Sequence, residues 1–77
     1  MSLGRSLTND LVLADGMVSK HHARFRLREG QLTLFDLKSA NGTYVHYRAI
    51  TEETFLVPGD QVRIGSYLLS FESPPLL

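Results

Sequence analysis

Apolar and polar residues alternate with a period of two along several short stretches of this 77-residue chain. Within residues 23–28, Ala23, Phe25 and Leu27 lie on one face and three arginines on the other, which is typical of a half-buried strand. A two-residue turn and a second alternating run, 31–35, follow directly. This pattern predicts a β-hairpin.

A second pair of alternating runs, 61–64 and 67–71, is joined by Gly65-Ser66 and predicts another hairpin. Its candidate core residues are Val62, Ile64, Leu69 and Phe71. Shorter strands are expected near residues 11–13 and 43–45, and no window carries apolar residues at helical spacing for three turns. Many short strands separated by turns predict an all-β fold, an antiparallel β-sandwich.

Length and composition indicate one small globular domain. We expect residues 1–3 to be an expression remnant, residues 4–72 to form the domain, and residues 73–77, with two consecutive prolines, to form a tail or linker. No apolar stretch approaches the roughly 18 residues of a membrane helix. The start also lacks the pattern of a signal peptide. We therefore expect a cytoplasmic protein without a membrane partner.

Charge and residue usage exclude several kinds of chemistry. Lys plus Arg (8) balance Asp plus Glu (8), so the formal net charge is zero and a long-range field for nucleic acid is not expected. The chain has no cysteine, which excludes disulfides and thiolate chemistry. The neighbours His21 and His22 point to opposite faces of a strand, which disfavours a metal site. We predict no metal and no cofactor.

Two polar clusters, in residues 4–5 with 19–23 and in residues 36–43, lie where alternating runs begin or end. We therefore predict that both clusters lie in loops at one end of a β-scaffold. Their chemistry is varied, because they carry a guanidinium fork, a hydroxyl, an ammonium and an amide. The residues that supply these groups are Arg5, Ser19, Lys20 and Asn41. Converging donors of these kinds suit a phosphorylated residue and the peptide backbone that carries it.

Catalysis and nucleic-acid binding are weaker readings of the same residues. A hydrolase site could be sought by combining Ser19 and His22 with Asp36, Ser39 or Asn41. No nucleophile–base pair among them has a supporting third group that spacing identifies, and no Gly-x-Ser-x-Gly elbow is present, so no catalytic residue is predicted and the protein is not expected to be an enzyme. The three arginines of residues 24–28 are typical of a solvated strand face that also limits sheet pairing. Nucleic acid is not expected as a partner.

The order of the short motifs resembles the forkhead-associated (FHA) domain, a β-sandwich that binds phosphothreonine peptides. The matching motifs run through nearly the whole chain: Gly4-Arg5, Ser19-Lys20-His21-His22, Asn41-Gly42-Thr43, Gly59-Asp60 and Ile64-Gly65. The family is a known reader of phospho-motifs. The resemblance implies a module that docks its parent protein onto a partner modified by a Ser/Thr kinase.

The resemblance also implies a role for each residue of the site. Arg5 would pair with the phosphate, Ser19 would donate its hydroxyl to a phosphate oxygen, and Lys20 would take the next phosphate-facing position. Asn41 would hold the main chain of the bound peptide. Four further residues would support the loops: Gly4, His22, Gly42 and Thr43.

Departures from the family pattern generate further expectations. Ala40 stands where some members have a threonine that adds a phosphate contact. Val45-His46-Tyr47 replaces the usual Val-Asn-Gly, so we expect this turn, near the peptide-binding end, to adopt a different conformation. The chain begins almost at Gly4-Arg5, without the strand that normally precedes this dipeptide. An uncovered sheet edge and a homodimer through that edge are therefore expected.

One alternative function remains open at this stage. Some FHA-like modules assemble by protein–protein contact without reading phosphate, and the sign of this is loss of the Gly-Arg arginine and of the serine. Both residues are present here, as Arg5 and Ser19, which favours phosphopeptide binding.

Overall fold

The computed structural model describes residues 1–72, and these residues form short β-strands and no helix. The strands are β1 (Ser2–Gly4), β2 (Leu11–Val12), β3 (Ala23–Arg28), β4 (Gln31–Asp36), β5 (Thr43–Val45), β6 (Arg48–Ala49), β7 (Thr54–Leu56), β8 (Gln61–Ile64) and β9 (Tyr67–Ser70). Both predicted hairpins are confirmed, as the antiparallel pairs β3–β4 and β8–β9.

The strands form two sheets, one of five strands in the order β2-β1-β3-β4-β7 and one of four in the order β6-β5-β8-β9. The pair β1–β2 is parallel and the other pairs are antiparallel. The predicted all-β sandwich is therefore confirmed. Because β3 is antiparallel to both β1 and β4, β1 ends, β3 begins and β4 ends at the same end of the sheet. The loops β1–β2, β2–β3 and β4–β5 therefore come together at that end.

The core consists of small and branched apolar side chains on the inner faces of the sheets. Its fully buried members include Leu3, Leu34, Val62 and Ile64, while the predicted core residues Leu69 and Phe71 pack against it partly buried. Burial of such side chains contributes about 1.5–3 kcal/mol each. Leu27 is 71% exposed because it lies near the tip of the β3–β4 hairpin, beyond the core.

The first residues of the chain take part in the fold. Ser2 and Leu3 belong to β1, where they pair with Arg24 and Ala23 of β3, and the side chain of Leu3 is completely buried. The packed unit therefore begins before Gly4, which was the expected start of the domain. The predicted tail, residues 73–77, lies outside the described residues.

The turn between β5 and β6 corrects an expectation from the sequence. His46 and Tyr47 both have positive φ (50° and 66°), and Val45 pairs with Arg48 across them. This is the φ signature of a type I′ turn, so the prediction of a different conformation was wrong. The side chains help to hold the turn, because His46 Nε2 lies 2.6 Å from Asp60 Oδ1 and the Arg63 guanidinium lies over the Tyr47 ring at 5.8 Å.

The position of this turn was also predicted incorrectly. β5 begins at Thr43, beside the 36–43 cluster, and ends at Val45, where the turn starts. An extended strand carries the chain away from its starting point at about 3.3 Å per residue. The His46-Tyr47 turn therefore lies at the other end of β5 from Asn41.

Candidate functional site

The three loops at one end of the sandwich hold one another through a short segment, residues 17–19 of the β2–β3 loop. Each residue of this segment contacts a different part of the neighbouring loops. The contacts are Asn41 Nδ2 to the Met17 carbonyl (2.8 Å), Arg5 Nε to the Val18 carbonyl (3.1 Å) and the Ala40 N–H to Ser19 Oγ (2.9 Å). Three of the four predicted ligand-binding side chains thus meet at this segment.

Arg5 follows β1 directly and is exposed. Its backbone N–H donates to the Ser19 carbonyl at 3.0 Å, and its Nε donates to the Val18 carbonyl. With Nε used in this way, the donors of the two terminal Nη groups remain for an anion. A planar pair of donors of this kind matches two oxygens of a phosphate or carboxylate.

Ser19 is half-buried between two loops. Its hydroxyl oxygen accepts the Ala40 N–H, so the hydroxyl proton is left to donate to a ligand. The next residue, Lys20, has an exposed side chain, while its carbonyl accepts from the Ser6 N–H at 3.2 Å. Lys20 thus joins two loops through its backbone and offers a positive charge with its side chain.

Asn9 is a structural residue of the site that the sequence reading missed. It is only 8% exposed, and its Nδ2 donates to the carbonyls of Ser6 (2.9 Å) and Lys20 (2.7 Å). Gly4 is required at the same junction, because a Cβ there would lie 2.2 Å from the Lys20 carbonyl oxygen. Together these residues place the Arg5 backbone against the loop that carries Ser19 and Lys20.

His22 lies beneath the loops and is fully buried. Its Nδ1 accepts the Ser19 N–H at 3.0 Å, and its Nε2 lies 2.8 Å from the Gly42 carbonyl. Because a backbone N–H can only donate, Nδ1 carries no proton here, and Nε2–H is the donor to Gly42. A neutral imidazole therefore connects the serine loop to the asparagine loop.

The loop that presents Asn41 is built around the Asp36 carboxylate. Asp36 Oδ1 accepts hydrogen bonds from the hydroxyls of Ser39 (2.5 Å) and Thr43 (2.7 Å), and Oδ2 accepts the Ser39 N–H at 3.0 Å. Thr43 is fully buried. Gly42 has φ of 89°, a left-handed conformation that suits glycine. Sequence alone offered a cue for Asp36, since Asp is favoured in turns, where its side chain accepts hydrogen bonds from the nearby backbone.

These hydrogen bonds make the stability of the domain depend on acidity. Partial burial alone would raise the pKa of Asp36, but the hydrogen bonds from Ser39 and Thr43 outweigh it, and the pKa lies below its ordinary value. Because the pKa of Asp36 is lower in the folded state than in the unfolded state, the ionised carboxylate stabilises the fold. This stabilisation is fully present above the unfolded-state pKa, about 3.9 for Asp, and is lost as pH falls through the folded-state pKa. We expect the free energy of unfolding to fall below about pH 4.

Chemical denaturation at a series of pH values measures this dependence. Asp36→Asn is expected to reduce the slope at acidic pH, whereas Glu29→Gln, at the exposed tip of the β3–β4 hairpin, serves as the matched control. Equal slopes in the wild type and Asp36→Asn would contradict the assignment. Some slope will remain in Asp36→Asn, because the pKa of Asp15, for example, is also lowered, chiefly by its hydrogen bond from Ser66.

The β8–β9 turn supports the site from below. Asp15 Oδ2 accepts both the N–H (2.8 Å) and the hydroxyl (2.5 Å) of Ser66, and Asp15 Oδ1 accepts the Met17 N–H at 2.9 Å. A Cβ on Gly65 would lie 2.8 Å from Val18. The turn therefore packs closely against the loop that holds residues 17–19, a link that no local sequence pattern indicates.

Other candidate features of the described residues are structural. Arg26 lies over the Phe35 ring at 5.1 Å and Arg28 lies 3.6 Å from Glu53, so part of the arginine stripe has partners within the fold. Residues 1–72 contain no group of three or more His, Asp or Glu side chains placed to hold a metal. None of the described residues belongs to a helix that could cross a membrane.

A β-sandwich that presents arginine, serine and asparagine from loops at one end has the architecture of a binding module. Residues 1–65 match the family model of the FHA domain. The chain therefore belongs to the FHA domain family, a family of phospho-motif readers, and the resemblance found in the sequence is confirmed.

Individual relatives agree with this membership. The chain is 42% identical over 74 residues to the glycogen accumulation regulator GarA of Mycolicibacterium smegmatis, covering 96% of this chain and 46% of that relative. It superimposes on EmbR of Mycobacterium tuberculosis, solved in complex with a low-affinity phosphopeptide, with a TM-score of 0.89 and 34% identity, covering 92% of this chain and 19% of EmbR.

A second similar structure comes from work on phosphothreonine-dependent FHA domain interactions. Its TM-score is 0.89 with 32% identity, and the match covers 97% of this chain and 77% of that one. The chain thus spans less than half the length of GarA but most of a solved FHA domain.

Proposed function

We propose that this chain binds a phosphothreonine-containing segment of a partner protein through Arg5, Ser19, Lys20 and Asn41. The proposal rests on one observation: Arg5 and the Asn41 loop are hydrogen-bonded to residues 17–19, the segment that contains Ser19. Arg5, Ser19 and Asn41 each keep at least one hydrogen-bond donor that these contacts do not use. This surface belongs to an FHA domain, and its chemistry is that of an anion site flanked by groups for a peptide main chain.

The available donors match a phosphate group. A phosphorylated side chain carries about −1.5 to −2 charges near neutral pH and three acceptor oxygens. The Nη groups of Arg5 can engage two oxygens, and the hydroxyl of Ser19 can engage the third. The exposed side chain of Lys20 adds a positive charge at the edge of the site. Because Ala40 has no hydroxyl, Ser19 and Arg5 provide the central contacts.

Asn41 is placed to hold the peptide beside its phosphorylated residue. One N–H of its amide is used by the Met17 carbonyl, which leaves Oδ1 and the second N–H free for the ligand. An amide with one acceptor and one donor can pair with both the N–H and the C=O of an extended peptide. Asn41 therefore fixes the peptide main chain, while Arg5 and Ser19 read the phosphate.

The partner that fits this site is a protein phosphorylated by a Ser/Thr kinase, and we place the interaction in the cytoplasm. The similar structures support a phosphorylated partner, since EmbR was solved with a phosphopeptide and the second structure concerns phosphothreonine-dependent interactions. The relative GarA is a regulator by name. We propose a regulatory binding role for the present chain and assign it no catalytic residue.

An assembly module that binds its partners without phosphate is the second candidate. The presence of both Arg5 and Ser19 favours phosphate reading, because each keeps a donor beyond the hydrogen bonds it makes within the loops. The two functions differ in a simple way, because an assembly module would bind its partner equally well before and after phosphatase treatment.

A degenerate phosphothreonine peptide library, followed by calorimetric titration of selected peptides, tests the proposal. We expect binding of phosphothreonine peptides, weaker binding of matched phosphoserine peptides and none of unphosphorylated ones. One buried methyl contributes about 0.8 kcal/mol, so roughly fourfold discrimination is expected from the methyl alone. Equal affinity for phosphorylated and unphosphorylated peptides would contradict phosphate reading and support the assembly function.

A further inference from the structure

The outer face of the four-stranded sheet carries a row of side chains that the core does not use. Val45 and Val62 are buried between the sheets, and side chains alternate along a strand, so their neighbours Tyr44 and Arg63 point outward. These two residues are cross-strand partners, and Arg63 is also paired with Leu68. The row therefore places an aromatic ring, a guanidinium and an aliphatic side chain next to one another across three strands.

This row belongs to a concave pocket of about 190 Å³ on the outer face, the outer pocket. Its lining combines aromatic, aliphatic and polar side chains: Tyr44, His46, Tyr47, Gln61, Arg63 and Leu68. Because strands join a sheet within its plane, a further strand beside β9 would leave this face open. The pocket reaches the β5–β6 turn, at the other end of β5 from Asn41. It is thus separate both from the sheet edges and from the loops of the phosphate site.

Tyr47 is a large side chain in an unusual position within the outer pocket. It is 86% exposed and is not a member of the core, and its φ of 66° is unfavourable for a bulky residue. Glycine would adopt this conformation more readily. The Tyr47 ring lies under the Arg63 guanidinium at 5.8 Å. An exposed ring at such a position favours a role in contact with another molecule.

The positive charge of Arg63 is not neutralised within the fold. Among residues 1–72, Arg63 forms no ion pair. Asp60 approaches the same face through His46, but both of its carboxylate oxygens are occupied. Oδ1 lies 2.6 Å from His46 Nε2, and Oδ2 accepts the Val57 N–H at 2.8 Å. The outer pocket therefore presents an uncompensated guanidinium beside two tyrosine rings.

We propose that the outer pocket binds an acidic segment of a partner protein, with a glutamate or aspartate carboxylate held by Arg63. A guanidinium donates two parallel hydrogen bonds to a carboxylate, and its face can lie on Tyr47 while the donors at its edge remain available. Apolar neighbours of the acidic residue would pack against Tyr44 and Tyr47. Tyrosine and arginine are among the residues that contribute most to binding at protein interfaces. This contact needs no phosphate and does not rest on the proposed phosphothreonine site.

The charge of the outer pocket favours a protein segment over nucleic acid. Nucleic-acid binding depends on several Lys or Arg side chains that neutralise successive phosphates. Among the described residues that line the pocket, only Arg63 is a lysine or arginine, and the formal net charge of the chain is zero. One carboxylate with apolar neighbours matches one guanidinium flanked by rings.

NMR titration of the 77-residue chain with two degenerate octapeptide libraries tests the proposal. Both libraries are unphosphorylated and capped at their termini, and they differ in a fixed central residue, which is glutamate in one and glutamine in the other. We expect the glutamate library to shift the Arg63 Nε–H signal and the amide signals of Tyr44 and Tyr47. The glutamine library should bind at least about tenfold more weakly, because it lacks the charge that strengthens the hydrogen bonds to Arg63.

Three variants make the test specific to the outer pocket. Arg63→Gln is expected to weaken binding of the glutamate library at least about tenfold. Tyr47→Gly removes the ring but places at this position a residue that readily takes a positive φ, so the turn is retained and binding still falls. Arg48→Gln is the matched control with unchanged binding, because Arg48 is paired with the buried Val45 and so belongs to the inner side of the same sheet.

Thermal unfolding of each variant separates binding from stability. If Tyr47 served only the fold, the folded Tyr47→Gly protein would bind the glutamate library as the wild type does, and this result would overturn the proposal. Undiminished binding in folded Arg63→Gln would do the same.

Four further results would also overturn the proposal. Equal binding of both libraries means that the pocket does not recognise a carboxylate. Shifts confined to the loops of Arg5, Ser19 and Asn41 mean that the phosphate site takes the acidic peptides. Absence of shifts with either library at millimolar concentration means that the pocket does not bind such segments. Larger shifts of the Arg63 and Tyr47 signals with a single-stranded oligonucleotide mean that this face binds nucleic acid.

Titration of a phosphothreonine peptide on the same samples reports the proposed function separately. We expect Arg63→Gln to bind this peptide with wild-type affinity. Binding of the glutamate library at Arg63 without any phosphopeptide binding would refute the proposed function alone. Phosphopeptide binding without any response of Arg63 to the glutamate library would refute the present inference alone.

Discussion

Replacing Arg5 by alanine is expected to weaken phosphopeptide binding by at least about 100-fold. The Nη groups of this residue form the bidentate part of the site, and hydrogen bonds to charged groups contribute about 1.5–3 kcal/mol each. Loss of two such bonds corresponds to about 3 kcal/mol or more, and each 1.4 kcal/mol is a factor of about ten in affinity. Calorimetric titration of one phosphothreonine peptide into both proteins measures the change.

Two further variants separate geometry from charge. Arg5→Lys keeps the charge but loses the planar fork, so its affinity should lie below that of the wild type and above that of Arg5→Ala. Arg24→Ala removes an exposed arginine of β3 and is the matched control, with unchanged affinity. Thermal unfolding is measured for each variant, because Arg5 also holds the Val18 carbonyl. Wild-type affinity in a folded Arg5→Ala protein would refute the assignment.

Replacing His22 by alanine is expected to destabilise the domain by about 2–4 kcal/mol. The substitution leaves the Ser19 N–H and the Gly42 carbonyl without their partner, and each unsatisfied buried group costs about 1–3 kcal/mol. For a domain of this size, 1 kcal/mol corresponds to roughly 4–8 °C in Tm. We expect Tm to fall by about 8–32 °C, with a smaller effect on the affinity of the folded fraction.

His21→Ala is the matched control, since His21 is the exposed neighbour of the buried His22 and its loss should leave Tm nearly unchanged. Calorimetric scans and phosphopeptide titration at a temperature where both variants are folded separate stability from binding. An unchanged Tm with lost binding in His22→Ala would make this residue a direct ligand contact instead of a support.

The fold could be predicted because its signals are local. Alternation over residues 23–35 and 61–71 indicates two hairpins by itself, and both are present. Burial of Leu3 could not be predicted in this way. A single leucine at the start of a chain has no periodic context, and it becomes a core residue only because β1 pairs with both β2 and β3.

The conformation of the β5–β6 turn was predicted wrongly because propensity was its only local signal. Asn-Gly is favoured at such positions, and a left-handed conformation costs other residues roughly 1–2 kcal/mol each. In this domain the pairing of β5 with β8 and the contacts of His46 with Asp60 and of Tyr47 with Arg63 act on the same turn. Tertiary contacts therefore override the local preference.

The residues of the candidate site could be predicted from the sequence only as far as its motifs resemble those of the family. Arg5, Ser19, Lys20 and Asn41 were chosen from their chemistry and motif positions, and their roles in binding remain to be tested. The supporting contacts of Asn9 and Asp15 were not found, because each depends on a carbonyl or a turn brought close by the fold. Asp15 and Ser66 are 51 residues apart in sequence, a separation that no local pattern encodes.

The mutual contacts of the three loops also determine how a ligand would arrive and leave. Since residues 17–19 already hold Arg5, Ala40 and Asn41 by hydrogen bonds, the protein loses little conformational entropy on binding, and the ordering cost falls mainly on the peptide. Association should then proceed at the ordinary docking rate of about 10⁵–10⁷ M⁻¹s⁻¹. Differences in affinity between phosphorylated sequences would appear as differences in residence time, so that partners compete by how slowly they dissociate.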